Sequence, residues 1–278
     1  MEPRGFKELS ELTLMDDYMF GVVMQDPALA KAVIECILDV KLRRVQYVEP
    51  QKQMKERYEA HAIRLDLYVE DENGSVYNVE VQTTDKRNLP RRMRYYQSNI
   101  DLHILSPGVD YRELRKSYVI FICGYDPFGL NRCVYTFENR CLEVPELPFG
   151  DDTTKVVVNI RGIQQGVSKR LSEMIRYLNG GEVTGETTRA LDSAVNDVKN
   201  SEERRREYMV MRLHEMEIRE EGREEGMQQG IQKGIQKGAD MFGALVTRLI
   251  SMNRLPDVER AAVDADYRAA LYREFGLV

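Results

Sequence analysis

Three polar side chains close together in the chain could support metal-assisted chemistry. Asp66 and Glu80 are acidic, and Gln82 follows Glu80 by two residues, so Glu80 and Gln82 would share one face of a β-strand. Two ionised carboxylates held side by side repel each other, and a hard divalent cation relieves that repulsion. A cation bound in this way activates water and neutralises charge on a phosphodiester. The residue types therefore favour phosphodiester hydrolysis, provided that the fold brings the two acids together.

A β-hairpin is predicted around these acids, because apolar and polar residues alternate on both sides of an Asp-Glu-Asn-Gly turn. A two-residue Asn-Gly turn would place Glu80 opposite Leu67, whereas a three-residue loop ending at Gly74 places Asp66 opposite Glu80. Residues opposite each other have Cβ atoms roughly 4.5–5.5 Å apart. We prefer the second register because it also gathers the apolar residues on the other face. The alternative interpretation is an exposed hairpin face that carries ordinary acids.

A cluster of five cations follows the hairpin within nine residues. Cations at the start of a helix are disfavoured by the helix dipole, so this position favours a role in holding phosphate over a role in stability. A solvated helix face is the alternative interpretation. The predicted DNA-binding residues are Lys86, Arg87, Arg91, Arg92 and Arg94.

The order of the predicted elements favours an α/β (mixed α+β) fold, with a core sheet flanked by helices and a helical C-terminal extension. Two short helices are predicted within residues 12–40, before the hairpin, and a third helix has Pro90 in its first turn. Residues 118–123 form a continuous apolar run that is typical of a strand covered on both faces. Further strands are expected at 133–137 and 155–160.

The chain is predicted to contain four segments: a catalytic domain (1–165), a helical segment that packs on the core or links it (166–204), a charged helix (205–240) and a small helical region (241–278). In the third segment a glycine recurs every four residues beside apolar residues. Glycine on a helix ridge allows a second helix to approach closely. We therefore expect residues 205–240 to mediate self-association, most simply as a dimer. An expandable linker is the alternative.

The residue pattern resembles a known nuclease superfamily. Asp66-x13-Glu80-Val-Gln82 resembles the D…(D/E)-x-K site of the PD-(D/E)XK nucleases. The surrounding sequence resembles more closely the Rpn family of recombination-promoting nucleases, also called PD-(D/E)XK nuclease family transposases, over roughly residues 8–240. The matching stretches are Asp-Tyr-Met-Phe at 17–20, Arg-Leu-Asp-Leu at 64–67, Arg-Met-Arg-Tyr-Tyr-Gln-Ser at 92–98, Ser-Tyr-Val-Ile-Phe-Ile at 117–122, Tyr-Asp-Pro-Phe-Gly at 125–129 and Tyr-Thr-Phe-Glu-Asn-Arg-Cys at 135–141.

This resemblance implies a restriction-endonuclease-like fold and metal-dependent cleavage of DNA that promotes recombination or mobility. By position, Asp66 and Glu80 would bind the metal, with Asp17 as a further candidate ligand whose alternative role is a helix cap. Mg²⁺ is the expected ion, with Mn²⁺ or Ca²⁺ as alternatives, and no organic cofactor is expected. Gln82 stands where the superfamily usually has lysine and carries no charge to stabilise an oxyanion. We expect Lys86 or Arg91 to supply that charge if the protein is active.

Composition limits the other function classes. The chain of 278 residues has a formal net charge of −6, no apolar run that could span a bilayer, and no apolar leader after its first residues, so we expect a cytoplasmic protein. The competing function is a nuclease-fold module that binds DNA or protein without turnover. A transposase with three carboxylates on an RNase H-like fold is a third alternative, but it needs another acid downstream, and none in 100–200 matches.

Overall fold

A mixed β-sheet forms the centre of the protein. The computed structural model describes residues 7–54 and 63–277, and within these residues the sheet has six strands. The strands are β1 (Val45–Met54), β2 (Ile63–Asp71), β3 (Val76–Gln82), β4 (Ser117–Cys123), β5 (Val134–Phe137) and β6 (Thr153–Asn159). Their order across the sheet is β1-β2-β3-β4-β6-β5.

The sheet combines an antiparallel and a parallel part. β1, β2 and β3 follow one another as antiparallel neighbours, β3 pairs with β4 in parallel, and β4 pairs with β6 in parallel. β5 returns antiparallel to β6 at the far edge. Because parallel neighbours need a crossover, the segment between β3 and β4 contains a helix that covers one face of the sheet.

The described residues also form eight α-helices. They are α1 (Asp17–Val23), α2 (Pro27–Leu38), α3 (Leu89–Ile104), α4 (Lys169–Leu178), α5 (Glu186–Asn200), α6 (Glu202–Ser251), α7 (Leu255–Val263) and α8 (Ala265–Glu274). The predicted fold class is confirmed: a mixed sheet flanked by helices is followed by a helical C-terminal extension.

Local sequence explains where two of these helices begin. In α2, Asp26 accepts a hydrogen bond from the backbone N–H of Ala28 at 2.7 Å, and Pro27 occupies the first helical position. In α3, Pro90 lies in the first turn, where its missing N–H costs no helical hydrogen bond. The third predicted helix therefore starts next to the end of β3.

The helix α3 covers the sheet face that carries the predicted site. Its buried residues Met93, Tyr96 and Ile100 pack against Phe121 of β4 and other residues of the same face, including Tyr68 of β2. Glu80 is paired with Phe121 in the parallel ladder, so both side chains point toward α3. The acidic residues of the hairpin thus lie under a helix.

The opposite face of the sheet is also buried. Leu67, Val79 and Ile120, which alternate with the site residues, are fully buried. Two helices approach the first strands, since α1 contacts β2 and α2 contacts β1. As predicted for residues 118–123, β4 is apolar because both of its faces are covered.

The chain divides into two compact units, Met1–Tyr208 and Met209–Val278. In the second unit, Leu245, Leu249, Ala261 and Leu271 form a small core from the end of α6 together with α7 and α8. The helix α6 runs without interruption through all five glycines of the predicted 205–240 segment. In the described parts of the chain, no helix combines the length and apolar character that a membrane crossing requires.

Candidate active site

The hairpin register places the two predicted acids opposite each other. Leu67 is paired with Val79, and the N–H of Asp71 donates to the carbonyl of Ser75, so the loop has three residues. Gly74 ends this loop with φ +78°, the left-handed conformation that glycine adopts without strain. The preferred register is confirmed. Continued by one residue past Leu67, it sets Asp66 opposite Glu80.

Beside Asp66 and Glu80, hydrogen bonds to side chains replace the backbone pairing between β2 and β3. The N–H of Asp66 donates to Oε1 of Glu80 at 2.9 Å, and the N–H of Val81 donates to Oδ2 of Asp66 at 3.2 Å. Each carboxylate therefore binds a backbone amide of the neighbouring strand. The side chains are buried, with exposed fractions of 9% for Asp66 and 0% for Glu80. An exposed hairpin face carrying ordinary acids is therefore excluded.

The surroundings of Glu80 disfavour its ionised form. Burial and the neighbouring Asp66 raise the pKa of Glu80 to about 8, although hydrogen bonds from Asn78 and from the Asp66 amide, together with the charge of Arg92, act in the opposite direction. Asn78 Nδ2 donates to Oε1 at 3.0 Å, and Arg92 Nη2 donates to Oε2 at 3.1 Å. Glu80 therefore takes up a proton readily, and a bound cation would favour its ionised form.

Gln82 is fixed in a single orientation. Its Nε2 donates to the carbonyl of Thr84 at 3.0 Å and to the hydroxyl of Tyr125 at 2.6 Å, while its Oε1 accepts from Arg92 Nη1 at 2.8 Å. Only 7% of Gln82 is exposed. The amide at the superfamily's usual lysine position is thus ordered, but it contributes no charge.

Arg92 enters the site from α3 and joins the predicted catalytic residues. Its Nε and Nη2 donate to the Tyr96 hydroxyl at 3.0 and 2.7 Å. Its guanidinium lies 5.0 Å from the centre of the Tyr96 ring and 5.1 Å from that of Phe121. Together with the bonds to Glu80 and Gln82, these contacts hold the guanidinium beside the acids.

The other four cations of that stretch are exposed. Lys86 and Arg87 lie in the connection between β3 and α3, and Arg91 and Arg94 lie on α3 itself. All four are therefore accessible to a polyanion, as the DNA-binding prediction requires, and they lie next to the acidic pair in sequence.

Asp17 lies at the first position of α1 and is exposed. Within residues 7–54 and 63–277, no group of three or more His, Cys, Asp or Glu side chains could hold a metal ion. The structure thus brings together Asp66 and Glu80 but does not add Asp17 to them. An ion in this site would take protein carboxylates from the hairpin alone.

Sequence reasoning missed three residues that support the site. Asn78 contacts Glu80, and its place two residues earlier on the same strand face could have indicated this. Tyr96 lies one helical turn after Arg92, a spacing at which helix side chains meet. Tyr125 follows β4 and reaches Gln82 across 43 residues of chain, which no local pattern indicates.

Comparison with known proteins identifies one family. Residues 16–140 match the sequence model of the family described as PD-(D/E)XK nuclease family transposase. This span includes every predicted site residue, and over these residues it confirms the resemblance found in the sequence. No curated protein and no solved structure matches the chain. The family supports a nuclease or transposase-like function with DNA as the implied substrate, and PD-(D/E)XK nucleases generally use divalent metals.

Proposed function

We propose that this chain, whose residues 16–140 match the PD-(D/E)XK nuclease family transposases, is a divalent-metal-dependent DNA endonuclease that promotes recombination or mobility of DNA. The observation that carries the proposal is the buried pair of Asp66 and Glu80. Their side chains replace the backbone pairing between two strands and lie side by side in a setting that raises the pKa of Glu80. A fold gains nothing in stability from such a pair, because burial of like charges is costly.

The residues present fit a hard divalent cation. Asp66 and Glu80 offer carboxylate oxygens, and Mg²⁺ typically takes one or two carboxylates together with water and substrate phosphate oxygens. When bound, such an ion supplies activation of water and neutralises charge on the phosphodiester. We propose Mg²⁺ as the ion, with Mn²⁺ or Ca²⁺ as alternatives. We leave Asp17 outside the ion-binding pair because it is exposed at the start of α1.

Other residues of the chain would orient the reacting groups and bind the DNA. Gln82, held by Tyr125 and Thr84, can orient a water or a phosphate oxygen through its fixed amide. The exposed cations Lys86, Arg87, Arg91 and Arg94 would bind the DNA backbone, which makes affinity dependent on salt.

We further propose that residues 205–240 pair two copies of the chain. The side chains of Met227, Ile231 and Ile235 are 59%, 56% and 69% exposed on α6, and each follows one of the recurring glycines. A Cβ built on these glycines meets nothing within 4 Å outside the helix itself, so a second helix could approach the backbone. Such a pair of chains would act at two sites on one DNA duplex.

The second candidate function is a nuclease-fold module that binds DNA or protein without cleaving it. The uncharged Gln82 favours this alternative, because the lysine charge of the superfamily site is absent from that position.

Plasmid nicking tests the proposal. Wild type, Asp66→Ala and Glu80→Ala are compared with Mg²⁺, Mn²⁺ or Ca²⁺, and cleavage by the wild type alone is the expected result. Equal activity of all three proteins would remove the assigned site. Binding of DNA without cleavage in every metal would favour the non-catalytic module.

A further inference from the structure

The positive charge that Gln82 lacks is present in the site on another element. Arg92 of α3 donates to Glu80 Oε2 at 3.1 Å and to Gln82 Oε1 at 2.8 Å. Lys86 and Arg91, the cations expected from the sequence, are exposed instead. The structure therefore shows which of the neighbouring basic residues lies in the site, and the sequence alone does not.

We propose that Arg92 is the resident cation of the active site and takes the place of the missing lysine. In the metal-free protein it donates a hydrogen bond to the buried Glu80, and during cleavage it places a fixed positive charge beside the scissile phosphate. This inference rests on the proposed nuclease function.

The position of the guanidinium is strongly constrained. The Tyr96 hydroxyl accepts two of its N–H groups, and the guanidinium lies near the faces of Tyr96 and Phe121. A preorganised charge needs no rearrangement during the reaction, which is the condition for effective electrostatic stabilisation. A surface arginine that only attracts DNA would not require these contacts.

The guanidinium of Arg92 also has an N–H group that could bind a phosphate. Of its five N–H groups, Nε and the two on Nη2 bind Tyr96 and Glu80, and one on Nη1 binds Gln82. In the described part of the chain, the second N–H of Nη1 has no such assigned partner, and 28% of the side chain is exposed. This N–H group is the one that would bind a phosphate oxygen, and arginine binds phosphate well.

Two measurements separate this role from simple DNA attraction. Removing a positive neighbour of Glu80 should strengthen cation binding, so Arg92→Gln is expected to bind Ca²⁺ about tenfold more tightly than wild type in calorimetry without DNA. The titration is run at about pH 9, where protons compete less for Glu80. In nicking assays with Mg²⁺, kcat of the same variant is expected to fall about 100-fold while KM for DNA changes little.

Matched variants give the controls. Arg112→Gln removes an exposed arginine that pairs with Asp110, and it should change neither calcium affinity nor kcat. Arg91→Gln should raise KM alone. If Arg92→Gln fails to fold, Arg92→Lys carries the test, because lysine keeps the charge but not the branched set of donors; it should keep calcium affinity and lose at least about tenfold in kcat.

Wild-type calcium affinity in Arg92→Gln, with KM raised as in Arg91→Gln, would overturn the proposal and make Arg92 a DNA contact. Weaker calcium binding in Arg92→Gln would also overturn it, since that is the result of a structural role alone. If the proposed nuclease function is wrong, the wild type cleaves no DNA. The calcium titration still tests the role of Arg92 in that case.

Discussion

Replacing Glu80 with glutamine tests whether the buried acid pair costs stability. The ordinary pKa of 4.5 rises to about 8 in the folded protein, mainly because the side chain is buried and because Asp66 is next to it. The folded state therefore holds the Glu80 proton more tightly than the unfolded state does. It follows that the free energy of unfolding of the metal-free wild type falls as the pH rises from about 4.5 to about 8, and no further change from this group occurs above that range.

The size of this loss follows from the same values. Each pH unit between the two pKa values is worth about 1.4 kcal/mol, so complete ionisation costs a few kcal/mol at most. Glutamine does not titrate and therefore does not suffer this loss. Its amide can keep the acceptor bonds that Glu80 Oε1 makes with Asn78 and Asp66, but it presents N–H groups to Arg92. The free-energy cost of the altered hydrogen bonds in the variant is the same at every pH. The cost of ionising Glu80 in the wild type rises with pH.

The assay is denaturant unfolding followed by circular dichroism in the presence of a chelator. The stability of Glu80→Gln relative to wild type is expected to improve by about 1–4 kcal/mol between about pH 5 and about pH 9. Glu146→Gln, at an exposed glutamate, removes one charge without relieving a buried pair and serves as the control. A difference between Glu80→Gln and wild type that stays constant over this pH range would refute the reasoning.

Four further changes have defined outcomes. Asp66→Asn removes one proposed ligand, so calcium is expected to raise the melting temperature of wild type only; an equal rise in both proteins would place the ion elsewhere. Gly74→Ala forces alanine into φ +78° with its Cβ 3.1 Å from Arg115 Cδ, and denaturant titration should show a loss of about 1–2 kcal/mol. Unchanged stability would contradict the left-handed loop. Arg91→Gln should lower the salt slope of DNA binding by about one in fluorescence anisotropy, and an unchanged slope would exclude a phosphate contact. Ile231→Glu should reduce the mass measured by light scattering to one chain, and an unchanged mass in a wild-type oligomer would argue against pairing through α6.

The hairpin could be predicted in detail because its information is local. Alternation of apolar and polar residues fixes which side chains share a face, and Gly74 selects the loop that sets Asp66 opposite Glu80. One register satisfied both conditions, and the structure has that register. The burial of the pair could not be predicted in this way, because it depends on α3 lying over the polar face of the hairpin.

The position of Arg92 in the site could not be predicted from the local sequence, for the same reason. Three arginines lie within four residues, and their types and spacing do not reveal which one faces the sheet. Helical geometry offers a partial signal, since Arg92 lies one residue before the buried Met93 and one turn before Tyr96. The contact with Glu80 itself depends on how α3 is placed by the β3–β4 crossover, which is a property of the whole fold.

The local charge balance explains how a protein with a net charge of −6 could act on a polyanion. When Asp66 and Glu80 are both ionised, Arg92 cancels one of their two charges, and the buried site keeps one negative charge in excess. A divalent ion would reverse the sign of that excess and make the site attractive to a phosphodiester. Without the ion, protonation of Glu80 removes the excess negative charge but leaves no positive one, so the exposed cations that follow the hairpin can support only weak, salt-sensitive binding. On this reasoning, productive engagement of DNA depends on the ion, and the overall acidity of the chain does not oppose it.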